Sequence, residues 1–261
     1  MLNKGSLLIC LIALSGCSND KSADDTGETT GETTGQTTTA PATVDGEMRY
    51  SIYRSDLALE GVEVTTELGT STSDADGVAV VEVPAWSPFQ IVSVHPDYHS
   101  MYFFGYSCGP GCLPELDAPF SEGFFFTGEP MIAPSVSSEV ASLFGGSVDA
   151  AKGHVIVSVL GPVSATVVSA IAGGEVSLSE PYGLAFVEDA SARYGVSEGT
   201  ESRDGAIGFM NIAPGPVTVT VDPPDGTTTC DIFPSEGSYV ASSYEIEVYA
   251  DTVSRLSFVC Q

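Results

Sequence analysis

The chain has 261 residues, of which 35 are acidic and 8 are basic, and its formal net charge is −27 at pH 7. A field of that sign repels phosphate backbones and anionic headgroups, so nucleic-acid binding is excluded as a function. Hydrophobic residues make up 43% of the chain, which is close to the usual share for a protein that packs apolar cores.

The first residues predict a signal peptide. A short basic head, Asn3-Lys4, precedes the apolar run Leu7–Leu14, which is too short to span a bilayer. The tetrapeptide Leu14-Ser15-Gly16-Cys17 resembles a bacterial lipobox. That resemblance implies removal of residues 1–16 and acylation of Cys17. An ordinary secretory signal with a chance cysteine is the alternative.

The residue after Cys17 bears on localisation. In Gram-negative lipoproteins an Asp at that place favours retention at the inner membrane, whereas here it is Ser18. The resemblance therefore implies a protein anchored in the outer membrane through its N-terminal lipid, on the periplasmic or the surface-exposed side. Two or three acyl chains are enough to hold a protein on a membrane stably.

Residues 17–46 are predicted to be a disordered tether. They consist mainly of Thr, Gly, Glu, Asp and Ser and include the near-repeat Gly-Glu-Thr-Thr-Gly-Glu-Thr-Thr. Such a composition offers almost no apolar surface to bury. A flexible chain of this length reaches roughly 30 Å, which would lift the folded part off the membrane.

From residue 47 onward the pattern is that of a β protein. Met48, Tyr50 and Ile52 alternate with polar neighbours, which is typical of a strand. Asp74–Gly77 predicts a tight hairpin turn, because Asp-Gly supplies the positive φ that such a turn needs. Strands at short spacing between Gly, Pro and Asp residues predict an all-β sandwich.

The pattern occurs twice. Residues 72–94 contain an acidic glycine turn, a strand, a proline-rich turn and a second strand, and residues 200–221 contain the same series. Upstream, Gly174–Leu178 matches the pattern of Gly61–Val64. The first module's Thr72, Asp76, Gly77, Ala85 and Pro88 correspond to Thr200, Asp204, Gly205, Ala213 and Pro216. The repeat predicts two modules of similar fold.

The order Leu-Glu-Gly-Val-Glu-Val, Asp-Ala-Asp-Gly, Ile-Val-Ser-Val and then a tyrosine resembles the carboxypeptidase regulatory-like domain family. The resemblance implies an all-β fold of two tandem transthyretin/carboxypeptidase-regulatory-like β-sandwiches, at residues 47–134 and 151–261. It implies no peptidase activity, since in carboxypeptidases this domain is an appendage. Residues 135–150 are the predicted connector, with a short helix over Ser135–Phe144 because its apolar residues share one face.

Four cysteines lie in the predicted modules, namely Cys108, Cys112, Cys230 and Cys260. An even number outside the cytoplasm predicts disulfide bonds. The pair Cys230–Cys260 would link a loop to the last strand. The pair Cys108–Cys112 would close a small Gly-Pro-Gly loop.

Two metal sites are weaker alternatives. The first would use His95, His99, Cys108 and Cys112, which are side chains of the kinds that bind zinc. Pro96 argues against it, because proline prevents the helix that would place both histidines on one face. Asp74 and Asp76 resemble part of a calcium loop, but Val78 stands where a further ligand is needed, so a plain turn is favoured. The sequence implies no metal and no cofactor.

An aromatic group is the candidate binding surface. Adjacent strand residues point to opposite faces, so Tyr102, Phe103 and Phe104 cannot all enter one core. The residues assigned to this surface are Trp86, Tyr98, Tyr102, Phe104 and Tyr106. Packing in a core or between the modules is favoured over a carbohydrate platform.

No catalytic constellation can be nominated, because the chain has three histidines and no Gly-x-Ser-x-Gly elbow. An isopeptide bond between Lys152 and Asn211, the only lysine and asparagine of the modules, is a remote alternative. The sequence predicts a non-enzymatic, lipid-anchored cell-envelope protein. It would present β-sandwiches to an envelope protein or a glycan, or act as a structural element. An accessory carbohydrate- or metal-binding lipoprotein is the alternative.

Overall fold

The computed structural model describes most of the two predicted modules. The residues it describes are 43–55, 57–107, 125–161, 170–189, 195–203, 205–227, 229–232 and 242–260. The predicted signal peptide, Cys17 and most of the predicted tether lie outside these ranges.

The described residues of the first half form seven strands and one helix. They are β1 (Thr43–Ile52), β2 (Glu63–Thr65), β3 (Thr70–Thr72), β4 (Val78–Pro84), β5 (Pro88–Val94), β6 (Ser100–Tyr106), β7 (Phe125–Met131) and α1 (Pro134–Leu143). Strand β1 begins ahead of residue 47, because alternate residues already enter the core at Val44, which is 4% exposed.

The described residues of the second half form nine strands. They are β8 (Gly153–Leu160), β9 (Glu175–Leu178), β10 (Leu184–Asp189), β11 (Gly195–Glu198), β12 (Ile207–Ile212), β13 (Gly215–Asp222), β14 (Cys230–Ile232), β15 (Ser243–Val248) and β16 (Thr252–Cys260). The predicted all-β class is confirmed.

The described strands form three sheets. A ten-stranded sheet runs β11-β10-β12-β8-β16-β6-β5-β2-β3, with β14 beside β16. Two three-stranded sheets, β4-β1-β7 and β15-β13-β9, pack against it. Strands of both predicted sandwiches therefore belong to one shared sheet.

Strand β16 joins the two halves. It pairs in parallel with β6 of the first half over Thr252–Leu256 and with β8 of the second half over Val253–Val259. The last three residues of β16, Phe258–Cys260, pair with β14 in the antiparallel direction. Most of its side chains are buried, as expected for a strand with neighbours on both edges and layers on both faces.

The two cores lie on opposite faces of the large sheet. Phe103 in β6 and Val253 in β16 point into the first core, under β4-β1-β7. Phe104 and Leu256, on the other face of the same strands, point into the second core, under β15-β13-β9. The alternation of side chains along a strand thus divides β6 and β16 between two cores.

Helix α1 covers the part of the large sheet that the first small sheet leaves uncovered. Its buried Val140 and Ala141 pack on Phe186 of β10 and Met210 of β12. The helix has proline at its start and no side-chain cap. It ends at Leu143, and Gly145, with a φ of 74°, then lets the chain turn away from the helix.

Candidate functional site at the junction of the two sandwiches

Two buried histidines meet where the halves join. His99 precedes β6, and His154 lies in β8, on the opposite side of β16. Each residue is 4% exposed, and the ring centroids are 5.7 Å apart at an interplanar angle of 72°. The shared strand brings them together, because it holds β6 and β8 on its two edges.

Each ring nitrogen Nδ1 has a neighbour. The Nδ1 of His99 lies 3.4 Å from Oδ1 of Asp251, in the turn before β16. The backbone N–H of Asn211 donates to Nδ1 of His154 at 3.4 Å. The pKa of His154 is lowered to about 4, mainly by burial and also by the neighbouring His99, while the Asp251 carboxylate acts to raise it.

Polar side chains of the loop after β1 fasten the first half to the second half and to α1. The Tyr53 hydroxyl donates to Oε1 of Glu188 in β10, and Arg54 pairs with Glu139 of α1 at 3.1 Å. Burial and the neighbouring Glu188 carboxylate raise the pKa of Tyr53. These contacts add side-chain links to the strand pairing at the junction.

A small cavity lies between the loop after β1, helix α1 and the large sheet. Its lining includes Tyr53, Ser137, His154 and Glu188 among mostly apolar side chains. Its volume is about 30 Å³, which admits a water molecule and is far below the roughly 300 Å³ of a small-molecule site.

The structure distributes the predicted aromatic surface over several environments. Trp86 is 42% exposed in the turn between β4 and β5, and Tyr98 is half-buried against the first core. Tyr102 packs on the second core and stacks on Tyr249, with ring centroids 4.4 Å apart. Phe104 is 6% exposed and belongs to the second core, so it is not part of a surface. Tyr106 is the last residue of β6.

The aspartate turn is held by its own backbone. Oδ1 of Asp74 accepts hydrogen bonds from the N–H groups of Asp76 and Val78, each at 2.9 Å. This is the hydrogen bonding of a hairpin turn with an aspartate at its first position. The carboxylate that a calcium ion would need is engaged in the fold.

His95 and His99 have different neighbours. His95 is half-buried, with its ring 5.0 Å from that of Tyr98, whereas His99 faces His154 and Asp251. In the described part of the chain, no group of three or more His, Cys, Asp or Glu side chains is placed to hold a metal ion. Cys108 and Cys112, the other predicted zinc ligands, lie outside it.

A disulfide bond joins Cys230 to Cys260. The two cysteines are register partners in β14 and β16, so the bond ties the short strand β14 to the strand that joins the halves. The predicted Cys108–Cys112 pair and the predicted lipidation site Cys17 lie outside the described residues.

Asn211 has a structural role. It lies in a bulge of β12 with a φ of 61°. Its side-chain amide donates to the carbonyl of Ser147 at 2.8 Å and accepts from the N–H of Asp149 at 2.9 Å. The amide thereby fixes the connection between α1 and β8, ahead of Lys152.

Sequence reasoning placed His99 in a zinc hypothesis and left His154 without a role. The available signal was the position of His154 at the start of the apolar strand His154–Leu160, where a buried polar residue calls for an explanation. Tyr53, Glu188 and Asp251 have no such signal, because each is a common residue in or beside a turn or strand. Among the described residues, no helix is both long and apolar enough to cross a membrane.

No protein-family model matches the chain, and no curated protein matches it. Among solved structures, GBS52, the minor pilin of Streptococcus agalactiae, is 8% identical with a TM-score of 0.28, over 83% of this chain and 94% of that one. BcpA, the major pilin subunit of Bacillus cereus, is 10% identical with a TM-score of 0.25, over 84% and 99%.

The Bacillus anthracis TIE protein is 9% identical with a TM-score of 0.25. The match covers 84% of this chain and 34% of that one, so the chain spans about a third of its length. TM-scores this low leave the function to be argued from the chain itself.

Proposed function

We propose that the chain is a non-catalytic cell-envelope protein, anchored by lipid on Cys17, whose two joined sandwiches act as a rigid spacer and contact surface. The observation that supports this most is the shared ten-stranded sheet. Because β16 bonds to β6 and to β8 through its main chain, the halves cannot turn independently without breaking strand pairing. A body of this kind holds a surface at a fixed distance and orientation.

The chemistry of the described residues supports a role without catalysis. The cavity at the junction, which His154 lines, holds little more than water, and both His99 and His154 are buried. The carboxypeptidase-regulatory-like resemblance belongs to this proposal as well, since that family uses the sandwich as an appendage and not as a catalytic unit.

Acylation tests the anchoring part of the proposal. The full chain, expressed in a Gram-negative host with an alkyne fatty acid, should incorporate the label and fractionate with the outer membrane. Cys17→Ala should lose both properties, whereas Cys10→Ala, in the predicted signal peptide, should retain them. A labelled Cys17→Ala protein, or an unlabelled wild type, would contradict lipid anchoring at Cys17.

Binding assays test the contact part of the proposal. The full chain with Cys17→Ala should retain a protein or glycan component of the envelope in a pull-down and on a glycan array. Trp86→Ala removes the largest exposed aromatic side chain at the β4–β5 turn, and Leu57→Ala is the matched control at another exposed apolar site. Turnover of a substrate by the purified chain would contradict the non-catalytic assignment.

A further inference from the structure

The two buried imidazoles present opposite tautomers. The Asp251 carboxylate faces Nδ1 of His99, which places the proton on that nitrogen and leaves Nε2 as an acceptor. The Asn211 N–H donates to Nδ1 of His154, which keeps that nitrogen unprotonated and places the proton on Nε2. The neutral pair therefore offers one acceptor and one donor at the joint.

A further proton does not fit the ring of His154. Neither Nε2 atom has a hydrogen-bond partner among the described residues, and both atoms are buried. Protonation of His154 would leave a buried cation beside the ring of His99. A proton on Nδ1 of His154 would oppose the Asn211 N–H and break that hydrogen bond.

The surrounding carboxylates would stabilise a positive charge on the buried imidazoles only weakly. Asp251 is the nearest carboxylate, and its side chain is 63% exposed, so water screens it. Glu188 accepts from Tyr53, and Glu139 is paired with Arg54. Asp149, whose N–H donates to Asn211, and Lys152 lie in the connection before β8, and Arg255 lies in β16.

We propose that His99 and His154 form an acid-sensitive joint, in which His154 is neutral while the sandwiches are paired and its protonation, beside the ring of His99, loosens the pairing of β6, β16 and β8. The two histidines come from different halves of the molecule and are separated by β16. Protonation therefore acts on the contact between the sandwiches and not on either core alone.

The pH range over which the joint should loosen follows from the pKa of His154. Its pKa in the folded protein, about 4, lies below the 6.5 of a free histidine, so an open or unfolded state binds the proton more tightly. The contribution of a neutral His154 is complete above pH 6.5 and is lost as the pH falls toward 4. Between pH 7 and pH 4 the folding equilibrium constant should fall about 100-fold for this one group, toward a limit of about 300-fold at lower pH.

Denaturation as a function of pH tests the proposal. Urea unfolding of the full chain between pH 7 and pH 4 is compared with that of His154→Asn, whose amide oxygen can still accept from the Asn211 N–H. Carboxylates titrate in both proteins and cancel in the difference. Between these pH values the wild type should lose about 100-fold in folding equilibrium constant relative to His154→Asn.

His95→Asn is the matched control, because His95 lies outside the joint and should leave the acid loss unchanged. An acid loss in His154→Asn equal to that of the wild type would overturn the proposal.

Nitrogen NMR of the histidines provides a test on the wild-type chain, independent of whether the variants fold. At pH 7, His99 should carry its proton on Nδ1 and His154 on Nε2, and His154 should remain neutral to below pH 5. Hydrogen exchange of the Val253–Leu256 amides should accelerate as the pH falls, once corrected for the intrinsic rate. Identical tautomers, or titration of His154 near pH 6.5, would overturn the joint.

Discussion

Ser73 and Ser202 make the same hydrogen bonds in the two halves of the molecule. The Ser73 hydroxyl donates to the carbonyl of Leu59 at 2.7 Å and accepts from the N–H of Val62 at 2.9 Å. The corresponding partners of Ser202 are the carbonyl of Ile171 and the N–H of Gly174, each at 2.8 Å. Each serine thus closes the loop before a strand of its own sandwich.

The glycines beside these serines are equivalent as well. Gly61 and Gly173 donate to the serine carbonyls at 3.0 and 2.8 Å, and their φ angles are 84° and 93°. A left-handed backbone at the same place in both loops is the conformation that glycine permits. The repeat in the sequence therefore reflects a repeated loop as well as repeated strands.

Removing either hydroxyl should destabilise the fold. Ser73→Ala and Ser202→Ala leave a buried N–H without its acceptor, which costs about 1–3 kcal/mol in the free energy of unfolding. Chemical denaturation measures this. Ser55→Ala is the control, because its hydroxyl bonds to Ile52 at the exposed surface and water can replace it. Equal losses for all three variants would contradict the role of the buried pair.

Local patterns predicted the strands and the repeat well. Strands such as β1 and β4 have one apolar face, and the acidic glycine turn marks the hairpin before β4. The sequence match of Gly174 with Gly61 was one residue out of register, because the structure equates Gly61 with Gly173. Aligning Glu63 with Glu175 instead gives the observed register.

The shared sheet could not be predicted in this way. Most of strand β16 is buried, but nothing in its local sequence selects β6 as its parallel neighbour. Parallel pairing joins residues far apart in the chain, as with Ser100 and Thr252. The histidine joint depends on that pairing, so His99 and His154 could not be brought together from the sequence.

Phe103 and Phe104 should report separately on the two cores. They are adjacent in β6 but point into the first and the second core respectively. Phe104→Ala should destabilise the protein by about 3–5 kcal/mol and accelerate hydrogen exchange chiefly in β8 and β12. Phe103→Ala is the matched control and should accelerate hydrogen exchange chiefly in β1 and β5. Identical exchange patterns would contradict the division of β6 between the cores.

Substitution of Gly77 should destabilise the protein more than substitution of another glycine that has a left-handed backbone. Its φ is 76°, and a Cβ there would overlap the carbonyl oxygen of Tyr50, whose N–H donates to Gly77. Gly226 has a φ of 89° and open space around a Cβ, so Gly226→Ala measures the backbone cost alone, about 1–2 kcal/mol. Gly77→Ala should cost about 1–3 kcal/mol more. Thermal or urea unfolding that gives equal costs would count against the close contact.

The disulfide should stabilise the protein by constraining the unfolded chain. Cys230 and Cys260 are separated by 30 positions, for which the loop-entropy relation gives about 3–4 kcal/mol. Cys230→Ala with Cys260→Ala should lower the free energy of unfolding by that amount under oxidising conditions. Under reducing conditions the wild type should approach the variant. A double variant as stable as the oxidised wild type would contradict a stabilising bond.

The contact between Tyr53 and Glu188 should be measurable as a coupling between the two halves. The hydroxyl of Tyr53 donates to the Glu188 carboxylate beside the junction cavity. Tyr53→Phe should therefore cost about 1.5–3 kcal/mol, the range for a hydrogen bond to a charged group. Tyr182→Phe is the control, because Tyr182 is 41% exposed and its ring packs on Phe209. A double-mutant cycle with Glu188→Gln isolates the pair. Additive losses would mean that the hydrogen bond between Tyr53 and Glu188 does not help to hold the two halves together. A coupling free energy near the loss in the single variants would show that this side-chain contact joins the halves independently of β16.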